Sequence, residues 1–416
     1  MSLPRSSPVR HSPASDVPSQ PGLRFLHRPS GVIADSIWQE LRLHGLWRRT
    51  DFDAHEGNTL KGAGDRSDWL PIFADWFPLD TGQIWCSRTE RALDPVHLPN
   101  AGAEGSLEDF LEAALTFFAR FDGRKIGVQL SGGFDSSLII GLLRHFCIPH
   151  GLVGMESQRY EFRTERIIPQ RLAEQNGDVA LIDEATCLPC ARLREAPPHQ
   201  VPDLLSLNLA QDRDMAIACQ QIGIEVLLSG GGGDNLLGMA VPIEAAESRW
   251  RPQTFTDSFP VDLIYRPMGI EFLSFFGDPG VVDVFFRLRR GQGNDTPKRW
   301  ARRFFRDFVP RELAEYTYCA DFWGRSIDGL LAALGPIREL HAEARELSGN
   351  DFFDAGRLDC LLAEDLYRPR KELYQRIEAR TSAAVWVVSM AKWIAMGGSR
   401  PRPQHDGSRH APNPPR

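Results

Sequence analysis

From Lys125 onward the chain alternates short, unbroken apolar runs with longer segments in which apolar residues recur every third or fourth position. Unbroken runs of about four to eight residues predict strands buried on both faces, and a recurrence near 3.6 predicts helices lying against them. The runs "IGVQL" (126–130), "GLVGM" (151–155), "DVALI" (178–182) and "IEVLL" (224–228) are the predicted strands. Between them, "SSLIIGLLRHF" (136–146), "RTERIIPQRLAEQNG" (163–177) and "LLSLNLAQDRDMAIACQQIG" (204–223) are the predicted helices. This order predicts an α/β fold, a parallel sheet with helices on both faces. After Asp234 the pattern turns mainly helical to about Ile394.

Upstream, "SLEDFLEAALTFFARF" predicts a further helix. Ser106 is placed to cap it, Asp109 stands at the capping-box position, and Leu111, Leu115 and Phe118 recur at helical spacing. Residues 21–104 hold clustered tryptophans, short apolar runs and turn residues, which predict a short β-rich unit. Residues 1–20 and 397–416 are rich in Ser, Pro, Arg and His with little to bury, and are expected to be disordered tails. Two units are therefore expected, a β-rich one over 21–104 and an α/β-to-helical domain over 105–396.

Composition narrows the function classes. The 416 residues are 42% hydrophobic and 25% charged, ordinary for a globular protein, and the net charge of −7 supplies no basic field for nucleic acid or an anionic membrane. Seven cysteines is a sparse, odd number that suits a reducing compartment. The first twenty residues lack the apolar stretch of a secretion signal, and "AAVWVVSMAKWIAM" (383–396) is too short to span a bilayer and carries Lys392. A cytoplasmic protein is expected.

The chemistry concentrates in "LSGGFDSS" (130–137), at a predicted strand-to-helix turn. In a doubly wound sheet, ligands bind at the carboxyl ends of strands. Gly132 and Gly133 let the backbone curl so that N–H groups converge, Ser131, Ser136 and Ser137 add hydroxyls, and the next helix presents its positive end. That set suits a phosphate. Asp135 beside it asks for a cation between carboxylate and phosphate, and Mg²⁺ is the natural one. No Gly-Lys-Ser/Thr follows, so the turn is not a Walker loop.

"SGGFDSS" resembles the signature of the PP-loop ATP pyrophosphatases. The later "VLLSGGGGDNLLG" (226–238) is similar to the second motif of asparagine synthetases, β-lactam synthetases and lasso-peptide cyclases. "MGIEFLSFFGD" (268–278) resembles that family's Gly-x-Glu segment ending in Phe-Leu-Asp, and "KRWARRFFRDFVP" (298–310) its Lys-x-x-x-Arg helix ending in Leu-Pro. The resemblance runs over about residues 105–335. It implies that Ser131, Gly132, Gly133, Asp135, Ser136 and Ser137 hold the pyrophosphate part of ATP. It also implies that Leu130, Val153 and Gly230 contact adenine or ribose, mostly through backbone, that Ser229 belongs to the nucleotide site, and that Asp135 and Asp234 ligate Mg²⁺. The implied reaction is attack of a carboxylate on the α-phosphorus, giving an acyl-adenylate and pyrophosphate, followed by displacement of AMP by an amine.

Departures from the family pattern bear on which reaction is expected. The family's glutamine-using members begin with a Cys nucleophile, whereas Ser2 follows Met1 here and Cys86 is the first cysteine. The region over 21–104 is also shorter than a full glutaminase domain, so glutamine hydrolysis is not expected. Where asparagine synthetases have Glu and β-lactam synthetases Tyr in the second motif, this chain has Gly231, which leaves Glu271 as the motif's nearest candidate proton acceptor. The family's amide-forming Lys falls on Tyr318. "CLPC" (187–190) is half a zinc site with no partner pair, and is read as structural. Eight Lys and Arg residues between Arg287 and Arg306 are either a solvated helix face or a grip on pyrophosphate or an acidic peptide.

The leading expectation is an AMP-forming amide synthetase of the lasso-cyclase kind, joining a peptide carboxylate to an amine without glutamine. Its partners would be a peptide or amino-acid carboxylate substrate and a peptide-processing protease, with no nucleic acid and no membrane. Asparagine synthesis from aspartate and free ammonia is the alternative. A tRNA-modifying enzyme and a non-catalytic ATP-binding relative are the further readings.

Overall fold

The computed structural model describes residues 24–27, 32–34, 76–79, 84–86, 91–93, 104–156, 172, 177–195, 207–237, 264–290, 298–315, 323–348, 388, 391, 392 and 395. Both predicted tails, most of the predicted helix 163–177 and Tyr318 lie outside these residues.

Five short strands lie in the first hundred residues: β1 (Arg24–His27), β2 (Val32–Ala34), β3 (Trp76–Leu79), β4 (Ile84–Cys86) and β5 (Arg91–Leu93). They form an antiparallel sheet of order β2-β1-β3 and a separate β4-β5 hairpin pairing, in keeping with the β-rich reading of this region.

The helix α1 (Leu107–Ala119) opens as its sequence predicts. Ser106 Oγ accepts from the Asp109 N–H at 3.1 Å, and the Asp109 carboxylate accepts from the Ser106 N–H at 2.8 Å, a reciprocal cap worth about 1 kcal/mol. Then come β6 (Ile126–Leu130), α2 (Phe134–His145), β7 (His150–Glu156), β8 (Val179–Asp183), α3 (Leu209–Gln221), β9 (Val226–Ser229), α4 (Gly233–Leu237) and β10 (Glu271–Ser274). Strands β6 to β10 make one five-stranded sheet of order β10-β9-β6-β7-β8, every pairing parallel.

Both faces of this sheet are covered, as the unbroken apolar runs predict. Along β9, Val226 and Leu228 enter one apolar cluster with α1 and α2, while Leu227 enters another with Met215, Ala216 and Cys219 of α3. Alternate side chains of a strand point to opposite faces, so only an all-apolar strand can feed two cores.

The strand β10 falls in the segment the sequence pattern reads as mainly helical. Its "EFLS" carries an acid and a serine and is followed by two phenylalanines. What makes it a strand is lateral, a parallel ladder with β9 from Glu271↔Val226 to Ser274↔Ser229. Beyond it the chain is helical: α5 (Pro279–Arg290), α6 (Arg299–Phe304), α7 (Arg311–Glu315), α8 (Trp323–Ala332) and α9 (Leu334–Ser348).

An aromatic cluster fixes α6 against the sheet. Phe110 of α1 lies 4.9 Å from the Phe285 ring and 4.8 Å from the Phe305 ring, and Phe118 stacks on Phe275 at 5.5 Å. Pairs of this kind add about 0.5–1.5 kcal/mol each beyond their buried area. Trp300 of α6 joins the same cluster and is buried. Asp278 accepts from the N–H groups of Gly280 and Val281 at the start of α5 and pairs with Arg120 at 2.9 Å, so the acid closing the third family-like segment serves the fold.

Candidate active site

At the carboxyl end of β6 the chain turns through Ser131, Gly132 and Gly133. Gly132 has φ 77°, a left-handed conformation that glycine adopts without a Cβ penalty. Gly133 is the extended residue before α2, with no side chain to cap the helix. The hydroxyls tie the turn internally. Ser131 Oγ accepts from the Gly133 N–H at 3.3 Å and lies 2.9 Å from Ser136 Oγ, which also reaches the Gly133 carbonyl at 3.3 Å. Ser137 Oγ is buried and has no hydrogen-bond partner among the described residues. The first-turn N–H groups of a helix have no intrahelical acceptor, so this turn gathers donors at one point.

The second glycine turn, 230–233, leaves β9 beside it, because β6 and β9 are neighbours in the parallel sheet. The two turns touch. A Cβ on Gly230 would lie 3.0 Å from the Ser136 N, and one on Gly233 would lie 2.5 Å from Asp135 Cγ. Glycine is therefore required at 233 for Asp135 to stand where it does.

Side chains from three adjacent strands hold the second turn. Ser229 Oγ at the end of β9 donates to Gln129 Oε1 of β6 at 3.0 Å and accepts from the Gly231 N–H at 3.0 Å. Ser274 Oγ at the end of β10 donates to the Gly231 carbonyl at 2.5 Å. Both polar groups of residue 231, the position at which the resembled motif has Glu or Tyr, are thus occupied by protein.

Opposite the turns stands Lys298. Its Nζ is 3.1 Å from Asp135 Oδ1 and 3.0 Å from Oδ2, with the two side chains 8% and 15% exposed. The residue has a left-handed backbone, φ 60°, at the start of α6, and its N–H donates to the Leu237 carbonyl at the end of α4 at 3.0 Å. Lys298 therefore joins the helix after the first turn to the helix after the second. Four residues on, the buried Arg302 donates to the Leu313 carbonyl at 2.7 Å and lies 5.8 Å from the Phe134 ring, which opens α2.

The sequence-predicted residues divide accordingly. Leu130, Ser131, Gly132, Gly133, Asp135, Ser136, Ser137, Ser229 and Gly230 come together at the carboxyl ends of β6 and β9. Val153 stands beside Gln129 in the ladder of β6 and β7, with its side chain in the core shared with α3. Asp234 is the second residue of α4, and its side chain lies outside the described residues.

Glu271 is not at this site. It begins β10, level with Val226 at the amino end of the sheet, and pairs with Arg124 at 2.5 Å with its side chain 45% exposed. A strand rises about 3.3 Å per residue, so three residues separate it by roughly 10 Å from Ser274 at the carboxyl end. The proton-acceptor expectation for Glu271 is withdrawn on that geometry.

Two residues of the site, Gln129 and Ser274, were not singled out by sequence reasoning, and Lys298 entered it only as the first residue of the Lys-x-x-x-Arg segment and as one of the basic cluster. Each left a trace: a lone amide inside the apolar run "IGVQL", a serine ending "EFLS", and a cation at a helix start, where the dipole disfavours it unless an anion stands near. The basic cluster is neither a bare solvated face nor a single grip. Arg287 pairs with Asp109 and Asp283, Arg289 and Arg302 are buried, and Lys298 faces Asp135. Among the "CLPC" thiols, burial pushes that of Cys190 up to about 12, and the Cys187 thiol is also raised, chiefly by burial.

Residues 107–266 match the asparagine synthase family. The match takes in both glycine turns and stops short of β10 and Lys298. A search of curated proteins found no match. Among solved structures, glutamine-dependent NAD+ synthetase from Acinetobacter baumannii in complex with adenosine diphosphate is similar at 14% identity and a TM-score of 0.26. The alignment covers 72% of this chain and 52% of that one, so the chain spans about half the length of that protein. Among the described residues no helix is long and apolar enough to cross a membrane.

Proposed function

We propose that the protein is an ATP-dependent, AMP-forming carbon–nitrogen ligase. The observation that carries this reading is the meeting of two glycine turns at adjacent strand ends, with Asp135 and Lys298 between them. The donor set fits the ligands. Hydroxyls of Ser131 and Ser136, the open N–H groups of the first turn of α2 and the Lys298 ammonium suit the oxygens of a triphosphate. The Asp135 carboxylate, and Asp234 by its place in the motif, would hold a Mg²⁺ ion. When bound, Mg²⁺ supplies charge neutralisation on the departing pyrophosphate.

The residues of this chain bind and position. The turns hold the phosphates so that a substrate carboxylate oxygen attacks the α-phosphorus and the bond to the pyrophosphate oxygen breaks. An amine then attacks the acyl carbon of the mixed anhydride and AMP leaves with the electron pair. Fixed N–H donors aimed at oxygens that gain charge lower the barrier without reorganisation.

The acyl donor favoured by this reading is a peptide side chain, closed onto an amine as a macrolactam. Gly231 supports it. With no side chain at that position, and both of its polar backbone groups tied by Ser229 and Ser274, the second turn has less bulk and less charge than one bearing Glu. That admits a donor larger than aspartate.

The test is release of AMP from Mg²⁺-ATP by the full chain against Asp135→Asn, with pooled carboxylate donors including peptides bearing an internal Asp or Glu. AMP dependent on a peptide donor supports the reading. AMP dependent on aspartate and ammonia makes the protein an asparagine synthetase. ATP binding with no AMP from any donor makes it a nucleotide-binding relative without this activity.

A further inference from the structure

The ion pair of Lys298 and Asp135 stands on the atoms that the ATP reading assigns to Mg²⁺. The ammonium spans both carboxylate oxygens, at 3.1 and 3.0 Å, in a site where neither side chain is more than 15% exposed. A carboxylate held this way is already neutralised. A divalent ion on the same oxygens would face the ammonium at close range with little water between them, and like charges in such a place repel strongly.

The lysine backbone is held in place. Its N–H is bonded to the Leu237 carbonyl at 3.0 Å, its carbonyl accepts from the Arg302 N–H at 2.9 Å, and the next two residues, Trp300 and Ala301 beyond Arg299, are buried in the aromatic cluster. Only the side-chain torsions can carry the ammonium elsewhere. The anion that the neighbouring turn is built to recruit, a triphosphate, offers it a second set of oxygens.

We propose that Lys298 is an exchange residue that sets the order of entry. It occupies Asp135 until nucleotide phosphate draws the ammonium away, so Asp135 accepts its metal only together with the nucleotide. The metal does not load first. This rests on the reading of the glycine turns as an ATP site, and it adds a role for a residue outside the matched domain segment.

Mn²⁺, followed by electron paramagnetic resonance on the full chain without nucleotide, is the probe. Wild type is expected to bind Mn²⁺ weakly, and Lys298→Met to bind it about ten-fold tighter or more, since an adjacent positive charge has been removed. The gain should vanish in Lys298→Met with Asp135→Asn. Lys298→Arg keeps the charge and is expected to stay as weak as wild type. Equal Mn²⁺ affinity in Lys298→Met and wild type overturns the proposal, as does tight Mn²⁺ binding by wild type alone, which needs no variant to fold. Calorimetry with a non-hydrolysable ATP analogue and Mg²⁺ on wild type separates the two readings. No binding there removes the ATP site itself, while binding with no Mn²⁺ gain in Lys298→Met removes only the exchange.

Discussion

A methyl on Gly233 would stand 2.5 Å from Asp135 Cγ and 2.8 Å from Oδ2, closer than any real contact, so the absence of a side chain at 233 sets the position of the first turn's carboxylate. Asp135 cannot swing aside freely, because Lys298 holds both of its oxygens. Gly233→Ala is therefore expected to push the two turns apart. Overpacking of this kind costs about 1–3 kcal/mol of stability. The larger effect should be on Mg²⁺-ATP affinity, read by calorimetry, with a loss of about ten-fold or more because phosphate donors and metal ligand no longer converge. Unchanged affinity would mean that the turns do not act as one site.

The sheet and its first turn were legible because one physical signal, burial on both faces, writes itself as unbroken apolar runs. That holds for β6, β7 and β9, while β8, at the sheet's edge, carries the same apolar run with Leu181 exposed. It fails for β10, whose strand identity comes from hydrogen bonds to β9 rather than from its own four residues. Lys298 was visible as a motif lysine, but its pairing with Asp135 was not, for a similar reason. Its left-handed conformation is secured by a bond to Leu237, about sixty residues away in the chain. Glu271 was misplaced because motif order does not say which end of a strand a residue occupies.

From sequence, Asp135→Asn looks harmless to the fold, as a change in a surface turn. The ion pair revises this. Removing the carboxylate leaves the Lys298 ammonium, 8% exposed, beside a neutral amide. Breaking a buried pair costs about 3–5 kcal/mol, and the residual exposure here lowers the expectation to about 2 kcal/mol. Urea denaturation should show that loss, with part of it recovered in Asp135→Asn with Lys298→Met. A variant as stable as wild type would mean that the ammonium finds another anion at no cost.

Gly141 lies in the middle of α2, where glycine costs about 1 kcal/mol relative to alanine. It is kept there by the chain after α6. A Cβ would fall 1.7 Å from the Phe308 carbonyl oxygen. In Gly141→Ala the gain in helix propensity is outweighed by displacement of the 305–310 segment, whose Phe305 anchors α6 in the aromatic cluster. A net loss of about 2 kcal/mol is expected in denaturant. Stabilisation by this substitution would show that the close approach of Phe308 is not maintained.

Gln129 acts at one remove. Its Oε1 takes the Ser229 hydroxyl proton, which turns the Ser229 lone pairs toward the Gly231 N–H. Gln129→Leu leaves that hydroxyl without its acceptor, at a cost of about 1–2 kcal/mol. Mg²⁺-ATP affinity should fall with it, while Gln129→Glu, which retains an acceptor oxygen, should restore affinity toward wild type. Coupling between Gln129→Leu and Ser229→Ala in a double-mutant cycle checks that one relay is being broken. Strict additivity would show two independent effects.

The core beneath α3 makes the fold sensitive to alkali. Burial pushes the Cys219 thiol up to about 12, as it does that of Cys190, from an ordinary value of 9.0. The hydroxyl of Tyr265, buried against Asp212, is raised well above 10.0 for the same first reason. A thiol whose pKa is higher when folded keeps its proton in the native state after the unfolded chain has released it. Its contribution is therefore fully present below pH 9.0 and is lost as pH climbs toward about 12. Each such group steepens the decline by about 1.4 kcal/mol per pH unit inside that window. Cys219→Ala removes one titrating group and exchanges it for a small cavity, so its stability should be lower than wild type near neutrality but should fall less steeply above pH 9.0. Denaturant unfolding at a series of alkaline pH values gives both slopes. Parallel slopes would mean that Cys219 titrates alike in the folded and unfolded chains, and that the α3 face of the sheet admits water.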